Sequence, residues 1–131
     1  RLAGLLTAGR RARETEGWYR SYWLGERRRH GDAALAALST AARTCAGRGV
    51  RLGVAAFPLL HRLDARPFAA VHDAIGRRCS ADDVPFVDLH DAFDGHDAQA
   101  LHVHPVDHHP NAAAHALAAD ALRPFVARLL R

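Results

Sequence analysis

Residues Pro105–His115 read Pro-Val-Asp-His-His-Pro-Asn-Ala-Ala-Ala-His, and the rest of the chain is expected to be the scaffold that holds them. Asp107 precedes His109 by two residues, and Pro110 and Asn111 follow directly. In such a pair the carboxylate fixes the tautomer of the imidazole and stabilises the imidazolium, and the ring takes a proton from a hydroxyl nucleophile. Asp107 and His109, predicted to lie on a loop, are therefore the candidate catalytic residues.

The Ala- and Leu-rich segment after this pair predicts a helix over residues 112–130, because its apolar residues recur at helical spacing. Asn111 is expected to cap the helix with its side-chain oxygen. Pro124 lies inside the segment and should kink the helix or mark a break.

Two short apolar runs precede the pair, over residues 50–57 and 84–89. Their length and their positions after helical segments predict buried parallel strands. Asp88 lies near the carboxyl end of the second strand. There it is expected either to line a ligand site or to cap the next short helical turn. The same two roles are open for Asp91 and Asp94.

Each predicted strand follows a predicted helix. The first helix has Asp32 as its expected N-cap and ends at Gly47 and Gly49. The second has Pro67 in its first turn and ends at Cys79. Strands separated by helices predict parallel βαβ units with right-handed crossovers, so the fold class is α/β. Because two strands are too few for a stable covered sheet, we expect more strands upstream of Arg1.

Two helical turns, around residues 91–93 and 97–101, are expected between the second strand and the pair. At the other end of the chain, residues 1–14 predict a helix. Residues 17–30 contain two Trp and two Tyr beside a run of Arg. This aromatic cluster either packs on the domain or lines a cleft.

Composition narrows the classes of function. The chain has 131 residues, enough for one domain or part of one, and carries a net charge of +4. Its basic residues are all Arg, and they are scattered, which favours a solvated surface over a nucleic-acid face. No apolar run is long enough to span a membrane. Cys45 and Cys79 are interpreted as small buried hydrophobes rather than a disulfide, and they assign no compartment.

The block Val-Asp-His-His-Pro-Asn-Ala-Ala-Ala-His at 106–115, followed by an Ala/Leu helix, resembles the last conserved block of the SGNH/GDSL hydrolase superfamily. The strand over 84–89 is similar to the segment that leads into that block, and the strand ending at Phe57 and Pro58 is similar to the family's penultimate core strand. The resemblance covers most of residues 32–131.

This resemblance implies a flavodoxin-like three-layer α/β/α sandwich with a parallel sheet. It implies a Ser-His-Asp triad in which His109 deprotonates the serine and Asp107 orients His109, in an esterase acting on small-molecule or carbohydrate esters. The Asp-x-His spacing is similar to that of relatives that acetylate or deacetylate polysaccharides. No cofactor is implied.

The serine of that triad is not evident in the chain. The family's nucleophile lies in an amino-terminal Gly-Asp-Ser block, with a Gly and an Asn from later blocks as oxyanion donors. None of Ser21, Ser39 and Ser80 follows Gly-Asp, and the single Asn is Asn111. We therefore interpret residues 1–131 as the carboxyl-terminal portion of one SGNH-like domain, and we expect the chain by itself to be inert.

Two other classes of function remain open. One is a binding domain with a decayed triad. The other is a metal site, because His and carboxylate side chains, which are common ligands for zinc or iron, crowd into the same stretch. The candidate ligands are His102, His104, Asp107, His108, His109 and His115.

Overall fold

The computed structural model describes residue 14 and residues 16–131, and these residues form a mixed α/β structure. The helix expected over residues 1–14 lies outside the described residues except for its last position. Two compact units are present, divided between Ala37 and Leu38.

The first unit contains a helix, α1, over residues 16–24, and the start of helix α2, Arg29–Ala46. The ring of Trp18 meets those of Tyr19 and Tyr22 edge-on, at centroid distances of 4.9 and 4.8 Å. These three aromatic residues therefore lie on a helix and pack on one another. Asp32 is not the N-cap, because α2 begins three residues before it; its carboxylate instead lies 3.5 Å from the Arg28 side chain.

The second unit contains the rest of α2 and all the strands that the structure describes. Its other helices and strands are, in chain order, β1 (Val54–Ala56), α3 (Ala69–Ala81), β2 (Phe86–Asp88), β3 (His102–His104), β4 (Asp107–Pro110) and α4 (Ala112–Leu129). Short 3-10 turns lie at Leu63–Ala65, His90–Phe93 and Ala98–Leu101. The last two of these match the helical turns expected from the sequence.

The two apolar runs form a parallel pair of strands, as expected. Val54 lies opposite Phe86, and Ala56 lies opposite Asp88. Both strands are shorter than predicted, and the first residue of each apolar run bonds to the end of the preceding helix instead. The backbone N–H of Val50 donates to the Cys45 carbonyl, and that of Val84 donates to the Cys79 carbonyl.

Apolar side chains cover both faces of this pair of strands. On one face, Val87 packs against a core that includes Phe93, Leu101 and residues of α4. On the other, Phe86 packs against a core formed by Ala42 of α2, Cys79 of α3 and Val84. Adjacent residues of β2 thus contribute to different cores, as the alternation of side chains along a strand requires.

The stretch that holds the candidate pair differs from the expectation. Asp107 and His109 lie on β4 rather than on a loop, and β4 pairs antiparallel with β3. The sequence suggested a loop because Pro105 and Pro110 bracket the pair. In the structure, Pro105 lies in the turn between the strands and Pro110 ends β4. Helix α4 continues through the exposed Pro124 without a break.

Candidate active site

Asp107 and His109 are joined through their side chains. The Nδ1 atom of His109 lies 2.5 Å from Oδ1 of Asp107, and the same oxygen accepts the backbone N–H of His109 at 3.1 Å. The hydrogen bond from the His109 side chain, followed by the bond from its backbone, lowers the pKa of Asp107. The carboxylate is therefore ionised near neutral pH and only accepts, so Nδ1 carries the proton. In the neutral ring Nε2 then has the free lone pair that a general base needs.

The pair is open to solvent. The side chain of His109 is 86% exposed and that of Asp107 is 48% exposed. The carboxylate orients the ring, but the described residues do not enclose it in a pocket. Because the ring of His109 is exposed, a reacting hydroxyl can reach it from the solvent side.

An irregularity in the hairpin brings the two side chains together. His102 lies opposite Pro110 and His104 lies opposite Asp107, so one residue of β3 faces two residues of β4. This is the geometry of a β-bulge, which bends a strand and redirects its side chains. The Asp107 carboxylate satisfies the backbone N–H of His109 within the bulge.

Asn111 fixes the base of the hairpin to α4. Its Oδ1 accepts the N–H of Ala114, which confirms the predicted N-cap. Its Nδ2 donates to the carbonyls of Ala100 and His102 at 2.9 and 3.1 Å. A single side chain therefore joins the helix start to the 3-10 turn before β3 and to the first residue of β3.

A second Asp–His pair lies at the carboxyl end of the parallel strands. Oδ1 of Asp88 lies 2.9 Å from Nδ1 of His72, whose side chain is 10% exposed. The same oxygen accepts the backbone N–H of His90, the first residue of the next 3-10 turn. Asp88 thus binds the start of that turn, although the N-cap residue is Leu89. Sequence reasoning missed His72, because a single His on a predicted helix gives no sign of a partner sixteen residues away.

Asp91 and Asp94 are held in a separate ion-pair cluster. The guanidinium of Arg66 contacts both carboxylates. Hydrogen bonds to Asp91 and then Asp94 raise the pKa of Arg66 above its ordinary value. The two carboxylates thus pair with an arginine at the surface.

The His-rich stretch does not gather into a metal centre. The rings of His102 and His108 stack at 4.5 Å, while Nδ1 of His104 faces the Val106 N–H at 3.4 Å. His115 lies exposed on α4, with its ring 6.2 Å from that of Phe57. Across residue 14 and residues 16–131, no group of three or more His, Cys, Asp or Glu side chains is placed to hold a metal ion.

Two of the three serines are hydrogen-bonded to other groups through their hydroxyls, and the third is exposed. The Ser39 hydroxyl donates to Asp82 at 2.5 Å, close to where β2 begins, and the Ser21 hydroxyl donates to the Trp18 carbonyl. Ser80 is exposed on α3. The hairpin that carries the dyad is joined to the segment after β1, because the ring of His102 bonds to the Leu60 carbonyl.

Comparisons of the chain with protein-family models, with curated proteins and with solved structures found no match. Among the described helices, none is long and apolar enough to cross a membrane.

Proposed function

We propose that Asp107 and His109 are the acid and base of a Ser-His-Asp triad in a serine esterase of the SGNH type, built on a flavodoxin-like sandwich. The observation that carries this proposal is the 2.5 Å contact between Nδ1 of His109 and Oδ1 of Asp107, on a side chain that is 86% exposed. The serine and the oxyanion donors are proposed to come from sequence outside these 131 residues.

Each proton has a defined route in this mechanism. The serine Oγ–H gives its proton to Nε2 of His109 as Oγ bonds to the ester carbonyl carbon, and Asp107 stabilises the imidazolium. The imidazolium then protonates the leaving alcohol as its bond to carbon breaks. Water, deprotonated by the same ring, then attacks the carbonyl carbon of the acyl-enzyme. The imidazolium returns that proton to the serine Oγ as the bond between the acyl carbon and Oγ breaks. The substrate class is a small-molecule or carbohydrate ester of a carboxylic acid.

The position of the hairpin supports the proposal. In α/β sheets, ligands bind beyond the carboxyl ends of parallel strands. The dyad hairpin is bonded to the Leu60 carbonyl, four residues beyond Ala56 at the end of β1. A serine at the carboxyl end of a neighbouring strand would approach His109 from its exposed side.

A serine-reactive fluorophosphonate tests this function on the natural gene product that contains these residues. We expect one serine outside residues 1–131 to be labelled, and the labelling rate to fall by at least about a hundredfold in His109→Ala, because a serine without its base is a poor nucleophile. The 131-residue chain by itself should not be labelled.

His96→Ala is the matched control, since it removes an exposed imidazole from a turn and should leave labelling unchanged. Labelling that is equally fast in His109→Ala would rule out His109 as the base. A gene product with no reactive serine would reject the esterase and favour a binding domain with a decayed triad.

A further inference from the structure

The hydrogen-bonded geometry of Asp107 and His109 is held on an exposed, short hairpin. Strands β3 and β4 have three and four residues. A two-stranded hairpin of this size is marginally stable by itself in water. The geometry of Asp107 and His109 must therefore depend on contacts between the hairpin and the rest of the second unit.

His102 makes one such contact through its ring. Its Nε2 lies 2.8 Å from the carbonyl oxygen of Leu60. Because a carbonyl only accepts, Nε2 must carry the proton. The other nitrogen, Nδ1, is buried and has no hydrogen-bond partner among the described residues, so the neutral ring protonated at Nε2 fits this site.

The same ring supports the bulge. His102 and His108 stack with a centroid distance of 4.5 Å and an angle of 18° between their planes. His108 is the residue between Asp107 and His109, and both lie with it on the bulged strand. Fixing the side chain of His108 on one side of β4 fixes the backbone orientation that presents its two neighbours.

We propose that His102 is a positioning residue, which holds Asp107 and His109 in hydrogen-bonding geometry by bonding to the Leu60 carbonyl and stacking on His108. Its role in catalysis rests on the esterase function proposed above, whereas its role in the geometry of the pair does not. His102 acts through His108 and has no direct part in proton transfer. The chain of contacts runs from the segment after β1 to the dyad.

The experiment is an NMR titration of the 131-residue chain, which follows the side-chain carbon of Asp107 and the ring nitrogens of His109. In His102→Ala, the titration midpoint of Asp107 should rise by at least half of the rise produced by His109→Ala. The signals of His109 should change from the Nδ1-protonated tautomer to a mixture. His102→Gln, whose amide can still donate to Leu60, should restore part of the difference.

His108→Ala provides a second variant that removes the stack and leaves the bond between His102 and Leu60 intact. Because His108 is exposed, this variant should fold even if His102→Ala does not. It should also raise the Asp107 midpoint. A purely structural role of His102 would lower the melting temperature and leave the Asp107 midpoint and the His109 tautomer unchanged, and that result in either variant would overturn the proposal.

This test separates the two proposals. If the natural gene product contains no reactive serine but the midpoint moves in His102→Ala, the esterase function fails and the positioning role stands. If the serine is labelled but the midpoint does not move, the esterase function stands and the positioning role fails.

Discussion

The two hydrogen bonds from His109 make the Asp107 carboxyl a stronger acid than an isolated aspartic acid, because both bonds favour its ionised form. The direction of the shift gives a prediction. The titration midpoint of Asp107 should lie below the ordinary value of about 3.9, and it should rise toward that value in His109→Ala. Carbon-13 NMR of the carboxyl group measures both midpoints.

The sign of the stability effect follows from the lowered pKa. A carboxyl whose pKa is lower in the folded chain stabilises the fold above its unfolded pKa, and the contribution fades as the pH falls through the folded value. The pair should therefore be intact at neutral pH and open only in acid. His96→Ala should leave the Asp107 midpoint in place, and a midpoint that did not respond to His109→Ala would contradict the assigned hydrogen bonds.

At the scale of single residues, the sequence predicts contacts between residues that are close along the chain and misses contacts between residues that are far apart along it. Asp107 and His109 are two residues apart, so local chain geometry was enough to pair them. His72 and Asp88 meet only because α3 packs beside β2, which no local pattern encodes. The stack of His102 on His108 depends in the same way on the register of the hairpin.

Among the helices and strands, the junction between the hairpin and α4 depends on Asn111. Replacement with Ala removes the N-cap and both donors to the Ala100 and His102 carbonyls. We expect Asn111→Ala to lower the free energy of unfolding by about 1–3 kcal/mol, from a lost cap and lost hydrogen bonds. Urea denaturation followed by circular dichroism measures this loss.

Asn111→Ser separates the two roles of this side chain. The hydroxyl still accepts from the Ala114 N–H as an N-cap, but the shorter side chain does not replace the Nδ2 donor to the two carbonyls. It should therefore cost less than the Ala variant. Equal losses in both variants would show that the cap contributes nothing measurable.

The order of the helices and the parallel strands follows from hydrophobic spacing, whereas their ends and the hairpin do not. Helix ends depend on which backbone groups are free to bond. Asp32 has a good side chain for a cap, yet α2 begins at Arg29. The strand β4 contains His108 and His109 and lacks an alternating apolar pattern, so only its pairing with β3 makes it a strand.

At the scale of the whole second unit, the short parallel pair of strands is shared by two cores, and no residue of β3 or β4 belongs to either core. Phe86 and Val87, which are adjacent in β2, contribute to opposite cores. When one core unfolds, the other should therefore unfold with it, because β2 cannot stay ordered with only one face covered. We expect the second unit to unfold as one cooperative body.

Phe93→Ala tests this expectation, because Phe93 has no exposed surface and lies in the core on the Val87 face. Truncating such a side chain costs about 3–5 kcal/mol. The probe is the thiol of Cys79, which is fully buried in the opposite core; its burial, and next the charge of Asp82, raise its pKa. In a Cys45→Ser background, a thiol reagent should label Cys79 at least about a hundredfold faster after Phe93→Ala, since every 1.4 kcal/mol changes the population of the open form tenfold.

Val106→Ala is the control, because that side chain is 84% exposed and its loss should change stability by less than about 0.5 kcal/mol. If Phe93→Ala lowered the overall stability while Cys79 stayed as protected as before, the two cores would be independent, and the shared strand would not couple them.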